Sequence, residues 1–136
     1  MILSELLPHR PPMLLIQEPL EITPDFCQAQ VKITAQSPFI RLGQVPAHVA
    51  LEYFAQTAAA HAGWLARQSG ETPRPGRLVA CRKLSLEVAG FKLGELLSVE
   101  VSPQGEGAGA HSYRGRLRRL PGGELLAEGV ITLILV

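Results

Sequence analysis

Hydrophobic and polar positions alternate most regularly from Phe26 to Ile33, where Cys27, Ala29, Val31 and Ile33 fall on one side and Gln28, Gln30 and Lys32 on the other. A period of two puts successive side chains on opposite faces, so this segment predicts a half-buried strand. Met13 to Ile16 is a short apolar run with strand character, and Thr23, Pro24 and Asp25 supply a turn between the two. Ahead of them, Ile2 to Leu6 predicts one or two helical turns stopped by Pro8, after which Pro11 and Pro12 hold the backbone extended. Gln36 to Pro46 reads as a loop containing Pro38, Gly43 and Pro46. The pattern then changes: from about Ala47 to Gln68 the chain is rich in alanine and free of proline, which predicts a helix. At about 1.5 Å per residue it would span about 30 Å, the width of a small domain. It is apolar on nearly all sides, the mark of a buried helix.

Ser69 to Gly76 is a connection rich in breakers, and Arg77 to Leu86, Leu96 to Val101, Ala110 to Leu120 and Leu125 to Leu135 read as four strands. Gly105, Gly107 and Gly109 make one hairpin region and Pro121-Gly122-Gly123 a tight turn. The order is short helix, two strands, long helix, four strands, within 136 residues, enough for a single domain over 1–136. One helix cannot cover two sheet faces, so an α+β fold with one sheet is implied. One curved antiparallel sheet wrapped around a long central helix is the hotdog fold; a flatter sheet with the helix laid on it satisfies the same pattern.

Composition narrows the function classes. Hydrophobic residues make up 46% of the chain and aromatics only 5%, so aliphatic packing dominates the core. A net charge of +1 argues against the dense basic surface of a nucleic-acid binder, and equally against disorder. Cys27 and Cys81 form neither a CxxC pair nor a metal-ligand spacing and read as small buried hydrophobes in a reducing compartment. Glu5, Pro8, His9 and Arg10 interrupt any signal-peptide core, and no stretch reaches the length of a membrane span. Ile131 to Val136 reads as a buried strand. The expectation is a cytoplasmic enzyme or binding domain.

Between Arg41 and Arg67 the only aspartate, glutamate, lysine or arginine is Glu52. A buried unpaired carboxylate would be costly and would raise its pKa, making Glu52 a candidate general acid or base; alternatively it faces solvent at an edge. His48 lies one turn before it and Gln56 one turn after, on the same face. The trio could be a catalytic cluster or an interface network; no third metal ligand is suggested, so no metal is expected. Pro46 fits a first helical turn, whose free amides could polarise a carbonyl oxygen. Arg114, Arg116 and Arg118 would line one strand face with Arg119 nearby, either as a dock for a phosphate-bearing arm or acidic carrier or as a solvated outer face. His61 reads as a helix-packing residue; His9 and His111 carry no assignment.

Two segments resemble a known family. Leu7-Pro8-His9-Arg10-Pro11-Pro12-Met13-Leu14-Leu15-Ile16 resembles the opening "LPHR-x-P-x-LL" of the 3-hydroxyacyl-[acyl-carrier-protein] dehydratases. Pro46-Ala47-His48-Val49-Ala50-Leu51-Glu52-Tyr53-Phe54-Ala55-Gln56 is similar to that family's helix motif "P-G-V-L-x-x-E-x-x-A-Q". The variant with Ala47 looks still more like the dehydratase-like proteins of aryl polyene clusters. The resemblance implies a homodimer or an assembly of dimers; a heterodimer with another hotdog chain is the alternative raised by the loop departure given below. It implies an acyl thioester of acyl carrier protein or coenzyme A, carried on phosphopantetheine, with no further cofactor, nucleic acid or membrane. It implies that Glu52 is the family's catalytic glutamate and Gln56 its glutamine, with the carbonyl-polarising amide near Ala47 or His48; with their spacing, this makes Glu52 and His48 the catalytic candidates and Pro46, Ala47 and Gln56 the substrate-binding ones. One departure stands out. The family's loop histidine would fall at Pro38, and Ser37 to Val45 contains no histidine.

Three functions follow. The first is a dehydratase of carrier-bound 3-hydroxyacyl chains, His48 or a distant histidine standing in for the missing one. The second is an acyl-thioester hydrolase, which needs only one helix carboxylate and an oxyanion site. The third is a catalytically degenerate acyl-binding subunit paired with an active dehydratase.

Overall fold

A computed structural model of the chain describes residues 3–136. The elements are β1 (Gln17–Thr23), β2 (Phe26–Lys32), β3 (Gln44–Pro46), the helix α1 (Ala50–Gln68), β4 (Gly76–Leu86), β5 (Gly90–Lys92), β6 (Leu96–Gly107), β7 (Ala110–Leu120) and β8 (Leu125–Leu135). A short 3-10 turn, Leu3–Glu5, opens the described chain, and another, Ala47–Val49, leads into α1. Ile2, where the predicted first turn begins, lies outside the described residues. Six strands form one antiparallel sheet in the order β1-β2-β6-β7-β8-β4, and β3 pairs with β5 as a separate ribbon. The sheet curves around α1, which touches β2, β4, β6, β7 and β8. The fold is the hotdog expected from the sequence.

The period of two explains the core. Cys27, Ala29, Val31 and Ile33 are all buried, and the cross-strand register aligns the first three with Val101, Val99 and Leu97 of β6 on the helix side of the sheet. Burial pushes the Cys27 thiol up to about 12, so it packs as an inert hydrophobe. Gly115 of β7 sits where the helix comes closest: a Cβ there would lie 2.5 Å from the Phe54 ring. Gly63 does the same for the opening turn, since a Cβ would meet the Leu6 carbonyl oxygen at 2.8 Å.

The structure corrects several sequence expectations. Met13–Ile16 is not a strand; β1 starts at Gln17. The run is apolar because Leu15 and Ile16 are buried, but its backbone pairs with a helix side chain, described below, rather than with a neighbouring strand. β6 runs to Gly107 rather than ending at Val101, because the hairpin turn is the Ala108-Gly109 pair, with φ of 52° and 79°. Two positive φ values suit the twist of a tight two-residue hairpin. The β3–β5 ribbon was not foreseen: three-residue strands carry no period. Cys81 is exposed, because β4 is the sheet edge and most of its side chains lie beyond the cover of α1.

Candidate active site

The two motifs that carry the family resemblance meet in space. The amino-terminal segment runs back along α1. Arg67 donates to the Glu5 carbonyl at 3.0 and 3.2 Å, the Leu6 carbonyl rests over Gly63, and Gln56 grips the segment further on. The Gln56 amide donates to the Met13 carbonyl at 2.7 Å and its oxygen accepts from the Leu15 N–H at 2.8 Å. A buried glutamine with donor and acceptor both used fixes the backbone as a neighbouring strand would.

Between segment and helix lies a cleft of about 440 Å³, lined by His9, Met13, Leu15, Phe39, His48, Val49, Leu51, Glu52 and Gln56. Its lining is mostly apolar with a few convergent polar groups, the usual character of a small-molecule site. It gathers His48, Glu52 and Gln56, as their spacing predicted. His48 and Glu52 are exposed, whereas Gln56 is buried. Of the two readings of Glu52 that the sequence left open, buried or facing solvent, the second holds: positions 48, 51, 52 and 55 form the stripe of the first helical turns that the sheet leaves uncovered. Among the described residues no cation lies within ion-pair distance of the Glu52 carboxylate.

At the helix start, the Ala47 N–H donates to the Ala89 carbonyl at 3.0 Å and is spent on holding the turn against the β4–β5 connection. Of the two amides considered from sequence, only that of His48 keeps its donor unused by any acceptor among the described residues. Pro46 ends β3 and begins the turn, its ring occupying a position where an N–H would have no helical partner. Pro38 lines a neighbouring hollow with Pro11, Pro12 and Tyr53, while Phe39, at φ 70°, lines the Glu52 cleft. His9, left unassigned by sequence reading, is a member of the cleft. Only its place inside the first motif could have pointed to it.

The remaining candidates lie elsewhere. His61 is fully buried; its Nε2 is 2.9 Å from the Thr23 carbonyl and its Nδ1 2.9 Å from the Tyr113 hydroxyl. The carbonyl only accepts, so Nε2 carries the proton and Nδ1 accepts from Tyr113. Burial pushes its pKa below the ordinary histidine value against the opposing pull of the Thr23 and Pro24 carbonyls and Asp25, which fits the packing role expected of it. His111 stands 3.2 Å from Glu106. Arg116 and Arg114 share Glu128, at 2.8 and 3.7 Å, Arg118 donates to the Gly123 carbonyl, and Arg119 binds Glu95 and Glu124. Cations already matched in this way read as an outer sheet face.

Comparison with known proteins bears on the fold and the family. A chain of the dehydratase heterocomplex ApeI:P from Xenorhabdus doucetiae superposes with a TM-score of 0.92 at 23% identity, covering 100% of this chain and 91% of that one. A hypothetical thioesterase with coenzyme A from Streptococcus pneumoniae superposes at 0.67 with 10% identity, covering 87% of this chain and 84% of the other. AziG of S. sahachiroi gives 0.65 at 21% identity, with 89% and 90% covered. A comparison with curated protein sequences yields no match. The family model for ApeP-like proteins, described as ApeP dehydratase, matches residues 1–135, and the chain belongs to this dehydratase family.

Proposed function

We propose that the protein removes water from 3-hydroxyacyl thioesters held on the phosphopantetheine arm of an acyl carrier protein, in biosynthesis of the fatty-acid or polyene type. The observation that carries this reading is the convergence of Glu52, His48 and Gln56 with the amino-terminal motif in one largely apolar cleft. Elimination breaks a C–H bond at C2 and a C–O bond at C3. Polarising the thioester carbonyl lowers the cost of charge at C2, and the His48 N–H at the helix start, beside Ala47 and Pro46, is the donor this reading gives that task, since no acceptor among the described residues uses it. Glu52 is the proton-transfer group, with the His48 imidazole on the same rim. Gln56 acts by holding the wall that Met13 and Leu15 form, and that wall, with Phe39 and Leu51, offers the acyl chain an apolar bed.

The site works in an assembly. β4 is an open edge with Val79, Leu84 and Leu86 exposed, a combination that soluble proteins normally cover. A second hotdog chain, a copy or a different one, is the partner that fits it, and the likeness to a chain of a dehydratase heterocomplex supports the different one. Incubation with 3-hydroxyacyl carrier protein, read by intact mass, tests the reading: loss of one water is expected. Pro38 in the place of a loop histidine favours a second reading, thioester hydrolysis, which needs only Glu52 and the polarising amide. Release of free acid and carrier thiol in the same assay identifies it. Acyl binding without turnover, with activity appearing only in a co-purifying hotdog chain, identifies a degenerate subunit.

A further inference from the structure

The cleft holds one polar side chain that the mechanism above leaves idle. His9 lines it together with Glu52 and His48. The loop that carries His9 is tied on both sides. Arg10 donates to the His9 and Leu7 carbonyls at 2.8 Å each and to the Ser4 carbonyl at 3.3 Å, and Gln56 holds Met13 and Leu15. Within the ring, Nδ1 is buried and has no hydrogen-bond partner among the described residues, which leaves Nε2 as the accessible nitrogen. A buried N–H without an acceptor is rarer than a buried lone pair without a donor. The tautomer protonated at Nε2 is therefore favoured, and it presents a donor to the cleft. Gln56 is held in the wall of the cleft instead, one N–H of its amide donating to Met13 and its oxygen accepting from Leu15.

We propose that His9 is a further catalytic residue: its Nε2–H donates a hydrogen bond to the 3-hydroxyl oxygen of the substrate and steadies that oxygen while the C3–O bond breaks. The inference rests on the dehydratase reading. Glu52 as carboxylate takes the C2 proton, and the C2–H electron pair becomes the C2=C3 double bond. The C3–O pair leaves with the oxygen, the proton on Glu52 passes to it, and water departs with Glu52 restored. His9 keeps its own proton throughout, so the arrangement does not require the proton acceptor that Pro38 has replaced.

The test uses the full chain with any hotdog partner that co-purifies. His9→Phe keeps a ring and loses the donor; His9→Gln keeps an N–H near the position of Nε2. Loss of about 10²-fold in kcat is expected for His9→Phe, the scale of removing one donor from a developing charge. At least tenfold of it should return in His9→Gln, and His111→Phe, outside the cleft, should be unchanged. Equal turnover in His9→Phe and wild type, or no rescue by His9→Gln in a protein with native circular dichroism, overturns the proposal. A second arm needs no turnover. In protein labelled with 15N-histidine, a non-eliminating 3-hydroxyacyl pantetheine amide should shift the His9 Nε2–H signal, and the amide lacking the 3-hydroxyl should not. Equal shifts, or none, overturn the contact. If the contact is seen but the natural thioester is hydrolysed rather than dehydrated, the dehydratase reading fails and the assignment of His9 to a leaving group fails with it. If water is lost but neither variant nor shift behaves as described, only the role of His9 falls.

Discussion

At the scale of single residues, exposure separates groups that serve the cleft from groups that serve the fold. Glu52 is exposed and, among the described residues, unpaired, so Glu52→Gln should leave the unfolding free energy from urea titration nearly unchanged, within about 0.5 kcal/mol. Dehydration should nevertheless fall by about 10²- to 10⁴-fold, the usual weight of general acid–base catalysis. Gln56 behaves in the opposite way. Gln56→Leu strands the Met13 carbonyl and the Leu15 N–H, at about 1–3 kcal/mol per buried group left unpaired, and the loss should appear in denaturant titrations. His61 is held neutral by burial, its folded pKa lying below the ordinary value. The unfolded chain then takes up the proton first as pH falls. Its contribution to stability is complete above about pH 6.5 and is lost as pH drops through the lower folded value. Urea titrations at about pH 7.5 and about pH 5.5 should show this loss in wild type and a smaller one in His61→Leu. Glu52 was legible in the sequence because it is a lone charge in an apolar helix; its exposure was not, since which stripe of α1 the sheet leaves open depends on curvature.

At the scale of elements, the seat of α1 on the sheet depends on a missing side chain. Gly115 belongs to β7, and a Cβ there would collide with the Phe54 ring, which is itself fully buried and has nowhere to retreat. Gly115→Ala should cost about 1–3 kcal/mol, the range of overpacking, and Gly115→Val more, read from thermal or urea unfolding. Most long elements were legible within a residue or two: β7 and β8 have the predicted limits, β4 begins one residue early, and the helix predicted from Ala47 proves to be a 3-10 turn followed by α1, whereas β6 overran its predicted end by six residues. Short ones were not. The β3–β5 ribbon holds the helix start in place through Val45 and Phe91, both fully buried, yet three residues cannot display a period. Met13–Ile16 shows the converse error: an apolar run signals burial, and burial alone does not name the hydrogen-bond partner.

At the scale of the whole molecule, the proposed assembly rests on the open edge of β4. Leu84→Lys with Leu86→Lys should weaken association at that edge, seen as loss of the dimeric or heteromeric species in native mass spectrometry. The monomeric fold should survive, because both side chains are already exposed within a single chain. The sequence by itself determined the single sheet and the buried alanine-rich helix through periodicity, the family through the resemblance of two motifs, and the common face of His48, Glu52 and Gln56 through their spacing at and after the helix start. Only the tertiary structure decided that the Leu7–Ile16 segment closes over that helix and brings His9 to the cleft. It alone showed that Ala47 spends its amide on Ala89, that Pro38 turns toward a different hollow, and that Glu52 stands open rather than buried. The physical reason is common to all four: each depends on how far the sheet curls and which backbone groups find partners across long stretches of chain, and local pattern carries no record of either.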